Sequence, residues 1–122
     1  MKQNIMKKWV RALRSGDYKQ GQGALATRFP HKKTEFCCLG VLCDLAVKDG
    51  VDIDINKKDC EHDYDNETYY LPKSVMDWAD LKSYNGLYYS LDKGSNTLAA
   101  LNDEGQSFEK IATTIEKKWK LL

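Results

Sequence analysis

The chain has 122 residues, 42% of them hydrophobic and 30% charged, with a net charge of +1. That length suits one domain, residues 1–122, around one buried core, and its longest apolar run falls far short of the roughly 20 residues that cross a bilayer, which excludes a membrane-spanning helix. The near-neutral sum hides an asymmetry: residues 1–33 carry nine Lys or Arg against Asp17 alone, a net +8, whereas residues 49–67 carry eight acidic residues against Lys57 and Lys58, a net −6. Such a dipolar chain is expected to attract an anionic ligand or a complementary copy of itself, so a homo-oligomer is among its expected states. No apolar segment follows the basic residues of Met1–Lys8, so the expected location is the cytoplasm, where the four cysteines stay reduced.

Ile5, Met6, Trp9, Val10 and Leu13 recur at helical spacing against Lys7, Lys8, Arg11 and Arg14, which predicts an amphipathic helix over 4–14, stopped by Ser15-Gly16. Gly21 and Gly23 then leave residues 17–23 as a polar loop without a regular element. Residues 24–29 and 34–36 read as a hairpin around Pro30-His31-Lys32-Lys33. Next comes the apolar run from Phe36 to Val47, a buried helix over 38–48 whose Gly40 is expected to allow close packing against a strand. Val51, Ile53 and Ile55 alternate with Asp52, Asp54 and Asn56 as a half-buried strand, followed by an acidic loop over 56–66 and a returning strand over 67–71. Pro72 opens a helix over 74–81. Residues 82–94 carry Leu87, Tyr88, Tyr89 and Leu91 as a strand or an ordered loop, and two helices follow, 98–103 and from 108 to about 121. The expected fold is α+β, a small antiparallel sheet packed with about four helices.

Chemistry is harder to find. Cys37, Cys38 and Cys43 lack the paired spacing of a zinc site, and Cys60 with His62 has no partner pair, so buried thiols are the better reading and no metal or cofactor is expected. The run from Asp52 to Asp63 places Lys57 where a calcium loop needs Gly. The last two helices resemble a helix-turn-helix in spacing, yet Glu109 and Glu116 would repel phosphates, which argues against DNA. His31 and His62 stand in no catalytic signature, so the chain reads as a binder and not as an enzyme. The segment Lys19-Gln20-Gly21-Gln22-Gly23, between Arg14 and Arg28, offers approachable backbone N–H groups, neutral amides and guanidinium forks, the parts of a phosphate site, with Tyr88 or Tyr89 able to stack on a base. Asp44 is a charge in an apolar helix whose expected partner is Arg14, Arg28 or a ligand.

Trp9, Ala12-Leu13-Arg14-Ser15-Gly16, Tyr18 and Gln20-Gly21, then Phe36 to Asp44, Leu71-Pro72 with Val75 and Trp78, and Leu101-Asn102-Asp103 with Gly105, Ser107-Phe108 and Ile111-Ala112 resemble a family of small uncharacterised bacteriophage and prophage proteins over nearly the whole chain. The resemblance implies a phage origin. Small phage proteins outside the virion often counter host defence, and some sequester nucleotide immune signals. By that analogy the expected function is an anti-defence protein of the host cytoplasm that binds a cyclic ADP-ribose-type signal, a nucleotide-derived small molecule, through Arg14, Lys19, Gln20, Gln22, Arg28, Asp44 and Tyr88 or Tyr89, without cleaving it. The alternatives are a protein-interaction module that inhibits a host defence protein and a small phosphodiesterase-like enzyme.

Overall fold

The computed structural model describes residues 1–57, 59–88 and 96–122. Helix α1, Gln3–Arg14, buries Ile5, Met6, Trp9, Val10 and Leu13 and leaves Lys7, Lys8 and Arg11 in solvent, as its periodicity predicts. The Trp9 indole N–H donates to the Cys38 carbonyl at 2.9 Å, tying α1 to the first turn of α2, Cys38–Lys48. That second helix is the centre of the core: every residue from Cys38 to Cys43 is buried. Its N-terminus is capped by the Cys37 sulfur, which accepts from the Gly40 N–H.

Gly40 explains how the helix meets the sheet. A Cβ there would lie 1.7 Å from the Leu25 carbonyl oxygen, so the backbone leading into a strand occupies the space a side chain would need. The strands are short: β1 Lys19–Gln20, β2 Ala26–Thr27, β3 Glu35–Phe36, β4 Ile55–Asn56 and β5 Glu61–Tyr64, in the order β1-β3-β2-β5-β4. The β2–β3 hairpin forms where expected, with Ala26 opposite Phe36 and Thr27 opposite Glu35. Helices α3 Lys73–Ala79, α4 Leu98–Asp103 and α5 Phe108–Lys118 complete the fold, α5 packing on α1 and both closing on α2 through α1 and α4. The α+β class holds, with five helices among the described residues in place of about four and a mixed sheet in place of an antiparallel one.

Three local differences have physical causes. Lys19–Gln20, expected to hold no regular element, runs parallel to β3, and Gly21 N–H continues the pairing by donating to Phe36 O at 2.8 Å. The expected acidic loop over 56–66 contains β5, whose buried His62 and Tyr64 alternate with outward Glu61 and half-buried Asp63. Residues 67–71 do not form the returning strand: Asp65 and Asn66 adopt left-handed backbone (φ 51° and 68°) and reverse the chain at once, closing a single bridge from Tyr64 to Glu67. Among the described residues no helix is long and apolar enough to cross a membrane.

Candidate functional site

The predicted ligand residues divide by what they already touch. Gln20 is committed: its amide N–H₂ donates to Asn102 Oδ1 at 3.0 Å and to Gln106 O at 2.7 Å, while its Oε1 accepts from Phe108 N at 3.1 Å. Asn102, fully buried, also donates to Gly21 O at 2.7 Å and accepts from Cys38 N at 3.1 Å. One glutamine and one asparagine thereby join β1, α2, α4 and the start of α5.

The cations around that loop are committed too. Arg14 donates from Nε to Glu109 at 3.1 Å and from Nη2 to Glu116 at 2.7 Å and Thr113 at 3.2 Å, and the Glu116 hydrogen bond is the main cause that raises its guanidinium pKa further. Lys19 Nζ lies 3.4 Å from Glu35. Gln20, Gly21 and Gln22 line an open groove of about 410 Å³ with Glu35 and Gly105, a surface with a carboxylate and no spare cation. Asp44 is not buried and meets neither Arg14 nor Arg28, correcting the expected pairing. Its side chain is 26% exposed, accepts the Tyr18 hydroxyl, and pairs with Lys48 at 3.1 Å. Burial, then the Asp44 hydrogen bond, raises the Tyr18 phenol, while Tyr18 and then Asp44 hold the Lys48 ammonium. Tyr88 is buried at 8% exposure and its backbone N–H donates to Asn96 O at 2.8 Å, which removes it from any stacking surface. Tyr89 lies outside the described residues.

Arg28 is different. It lines a groove of about 500 Å³ at the β2–β3 hairpin with Phe29, Pro30, His31, Lys32, Thr34 and Cys60. That volume is within the range of small-molecule sites, and among the described residues no carboxylate belongs to the lining. The hairpin is shaped by its backbone: Arg28 N–H donates to Cys60 O at 2.8 Å, Lys32 N–H to Phe29 O at 3.2 Å, and His31 takes left-handed backbone at φ 60°. Among the described residues neither Arg28 nor Lys32 enters an ion pair, and Phe29 remains 39% exposed. Such a groove can offer a guanidinium fork, an ammonium, an imidazole and a hydroxyl to an oxyanion, with a ring beside them. The structure therefore spreads the predicted residues over separate surfaces: Arg14 with Lys7 and Arg11 beside α1, Gln20 and Gln22 at the sheet edge, Arg28 at the hairpin. Phe29, His31, Lys32 and Thr34 share this groove but are not among the ligand residues expected from the sequence, although Pro30-His31-Lys32-Lys33 is a basic turn directly after Arg28.

The reactive side chains sit mostly in the core. Burial pushes the Cys37 thiol up to about 11 and the Cys38 and Cys43 thiols well above the ordinary value, so all three stay protonated at neutral pH. His62, 5% exposed, has no hydrogen-bond partner for Nε2 among the described residues, and burial followed by Lys57 and Arg28 lowers its pKa against the smaller pull of Asp63. Among the described residues no group of three or more His, Cys, Asp or Glu is placed to hold a metal ion.

No curated protein and no solved structure matches the chain. A protein family does, across residues 1–119, a span that takes in the Gln20–Asn102 lock, the α2 core and the hairpin groove together. The chain belongs to the family described as Domain of unknown function (DUF8296).

Proposed function

We propose that this protein is a phage-encoded anti-defence factor that binds and holds a nucleotide immune signal of the cyclic ADP-ribose type in the host cytoplasm, without cleaving it, with the hairpin groove as the phosphate site. The observation that supports this reading is the groove in which, among the described residues, no carboxylate joins the lining and Arg28 and Lys32 enter no ion pair, while Arg14 and Lys19 are already neutralised. Arg28 would take two phosphate oxygens in its fork, Lys32 would add charge without fixing direction, Thr34 and His31 would donate hydrogen bonds, and Phe29 would meet the base. A sponge needs binding and no turnover, which suits a groove made for charge and contact. The phage origin rests on the resemblance of the sequence blocks, and the sponge on analogy with other small phage proteins.

The test is to mix the purified protein with cyclic ADP-ribose isomers, measure free ligand, then heat-denature the protein and assay what returns. Depletion followed by release of intact ligand supports the reading. Altered ligand would make the protein an enzyme, with Cys60 and His31 the first residues to substitute, and no depletion would sink the reading. The double variant Arg28→Ala, Lys32→Ala should weaken capture at least about tenfold, the loss expected on removing charge-assisted phosphate contacts, and should leave the unfolding midpoint unchanged.

A further inference from the structure

A small notch with Tyr69 and Tyr70 in its lining shares no lining residue with the hairpin groove. It is lined by Gly23, Cys37, Leu39, Tyr69, Tyr70, Ala99 and Asp103 and holds about 120 Å³, room for one side chain and far too little for a nucleotide. Its walls are fixed in advance. The Tyr69 hydroxyl donates to Glu61 at 3.1 Å, and the Tyr70 ring is braced edge-on by Tyr84 with centroids 4.9 Å apart. Its floor is apolar: Leu39 is fully buried, and the Cys37 thiol beside it stays protonated at neutral pH.

The rim carries the charge. Asp103, exposed at the mouth, accepts from the Gly23 N–H through Oδ1 at 3.0 Å and, among the described residues, enters no ion pair, so none of them neutralises its charge. Glu61 adds a second carboxylate beside Tyr69. Two aromatic walls, an apolar floor and a carboxylate at the mouth select one chemistry. An anion is repelled, and a leucine would fill the floor but occlude Asp103 without a partner. A lysine or arginine satisfies every part: its methylene stem lies on the floor, its cation meets the ring faces and its N–H groups reach Asp103. Tyr69 and Tyr70 in its walls, and Tyr84 packed on Tyr70, remain 44% to 53% exposed, an apolar margin of the kind that surrounds an anchoring residue in a protein interface.

We infer that this notch is a docking site for a single lysine or arginine side chain presented by a basic segment of another protein. It is independent of the nucleotide reading, since it uses none of the hairpin residues. The probes are n-butylammonium and methylguanidinium, which carry the two cationic heads, with n-butanol as the neutral control, titrated into the labelled full chain while the amide resonances of Gly23, Leu39, Tyr69 and Tyr70 are followed. Saturable shifts confined to this set, produced by the cations and not by butanol, are expected. Asp103→Asn keeps the bond from Gly23 and should weaken them about tenfold, whereas Tyr69→Phe keeps the ring and should retain them. Shifts that do not saturate, that spread over all acidic residues, or that survive Asp103→Asn would overturn the inference. Sedimentation supplies the other arm: dimers dissolved equally by Asp103→Asn and by Lys32→Glu would make the occupant a second copy of this chain and refute a foreign partner.

Discussion

The polar lock at Gln20 and Asn102 and the polar rim at Arg28 and Lys32 are built from residues that look equally ready to bind a ligand, yet they do opposite work. In the lock, Gln20 spends both its donors and its acceptor on Asn102, Gln106 and Phe108, and Asn102 spends the rest on Gly21 and Cys38. At the hairpin, Arg28 and Lys32 enter no ion pair among the described residues. The difference teaches that polarity points to a ligand only where intramolecular partners have not already used it.

Removing the lock should have the largest effect. Asn102→Ala leaves Cys38 N without its acceptor in the core and the half-buried Gly21 O without its donor, and should lower the unfolding free energy by about 3 kcal/mol, at the upper end for buried groups left unsatisfied. Urea unfolding with an unchanged slope would show it. If Asn102→Ala kept full stability but lost ligand capture, the contrast between lock and rim would be reversed.

A second test uses acid. His62 prefers the neutral form in the folded chain, because burial and nearby cations lower its pKa from the ordinary 6.5, whereas the unfolded chain takes up the proton near that ordinary value. The stability from this group is therefore complete above pH 6.5 and declines as the pH falls below it, at no more than about 1.4 kcal/mol per pH unit for one proton. His62→Gln should flatten that slope between pH 7 and 5, and an unchanged slope would assign it to other groups. The smallest effect belongs to Gln22. It lines the same groove as Gln20 but among the described residues no hydrogen bond holds it there, so Gln22→Ala should change stability by less than about 0.5 kcal/mol, where Gln20→Ala should approach the loss expected at Asn102.

Much of the fold was legible in the chain because it depends on local periodicity. Ile5, Met6, Trp9, Val10 and Leu13 all turn inward as their spacing requires, and Gly40 does lie against backbone at the edge of a strand. What escaped was pairing set from a distance. Lys19 and Gln20 become a strand only because Glu35 and Phe36 arrive beside them, and β5 hid among acidic residues because its inward positions are His62 and Tyr64, neither of which marks a core by type. The candidate site depends on distant pairing in the same way. Arg14 and Arg28 look alike in the sequence, but Glu109 and Glu116, about a hundred residues downstream, neutralise Arg14, and no local pattern announces that. Asp44 found its partners nearby instead, in Tyr18 and in Lys48 one helical turn on.

The four cysteines give this molecule a chemical address of its own. Three are sealed in the core as protonated thiols, and Cys60 alone is exposed. A maleimide offered to the folded chain should therefore attach once, at Cys60, and a second adduct would report unfolding instead of labelling. Because Cys60 lines the hairpin groove, the same single thiol becomes an occupancy gauge: a molecule seated against Arg28 and Lys32 should slow its alkylation, and a dye placed there would read filling and emptying of the groove without any engineered residue.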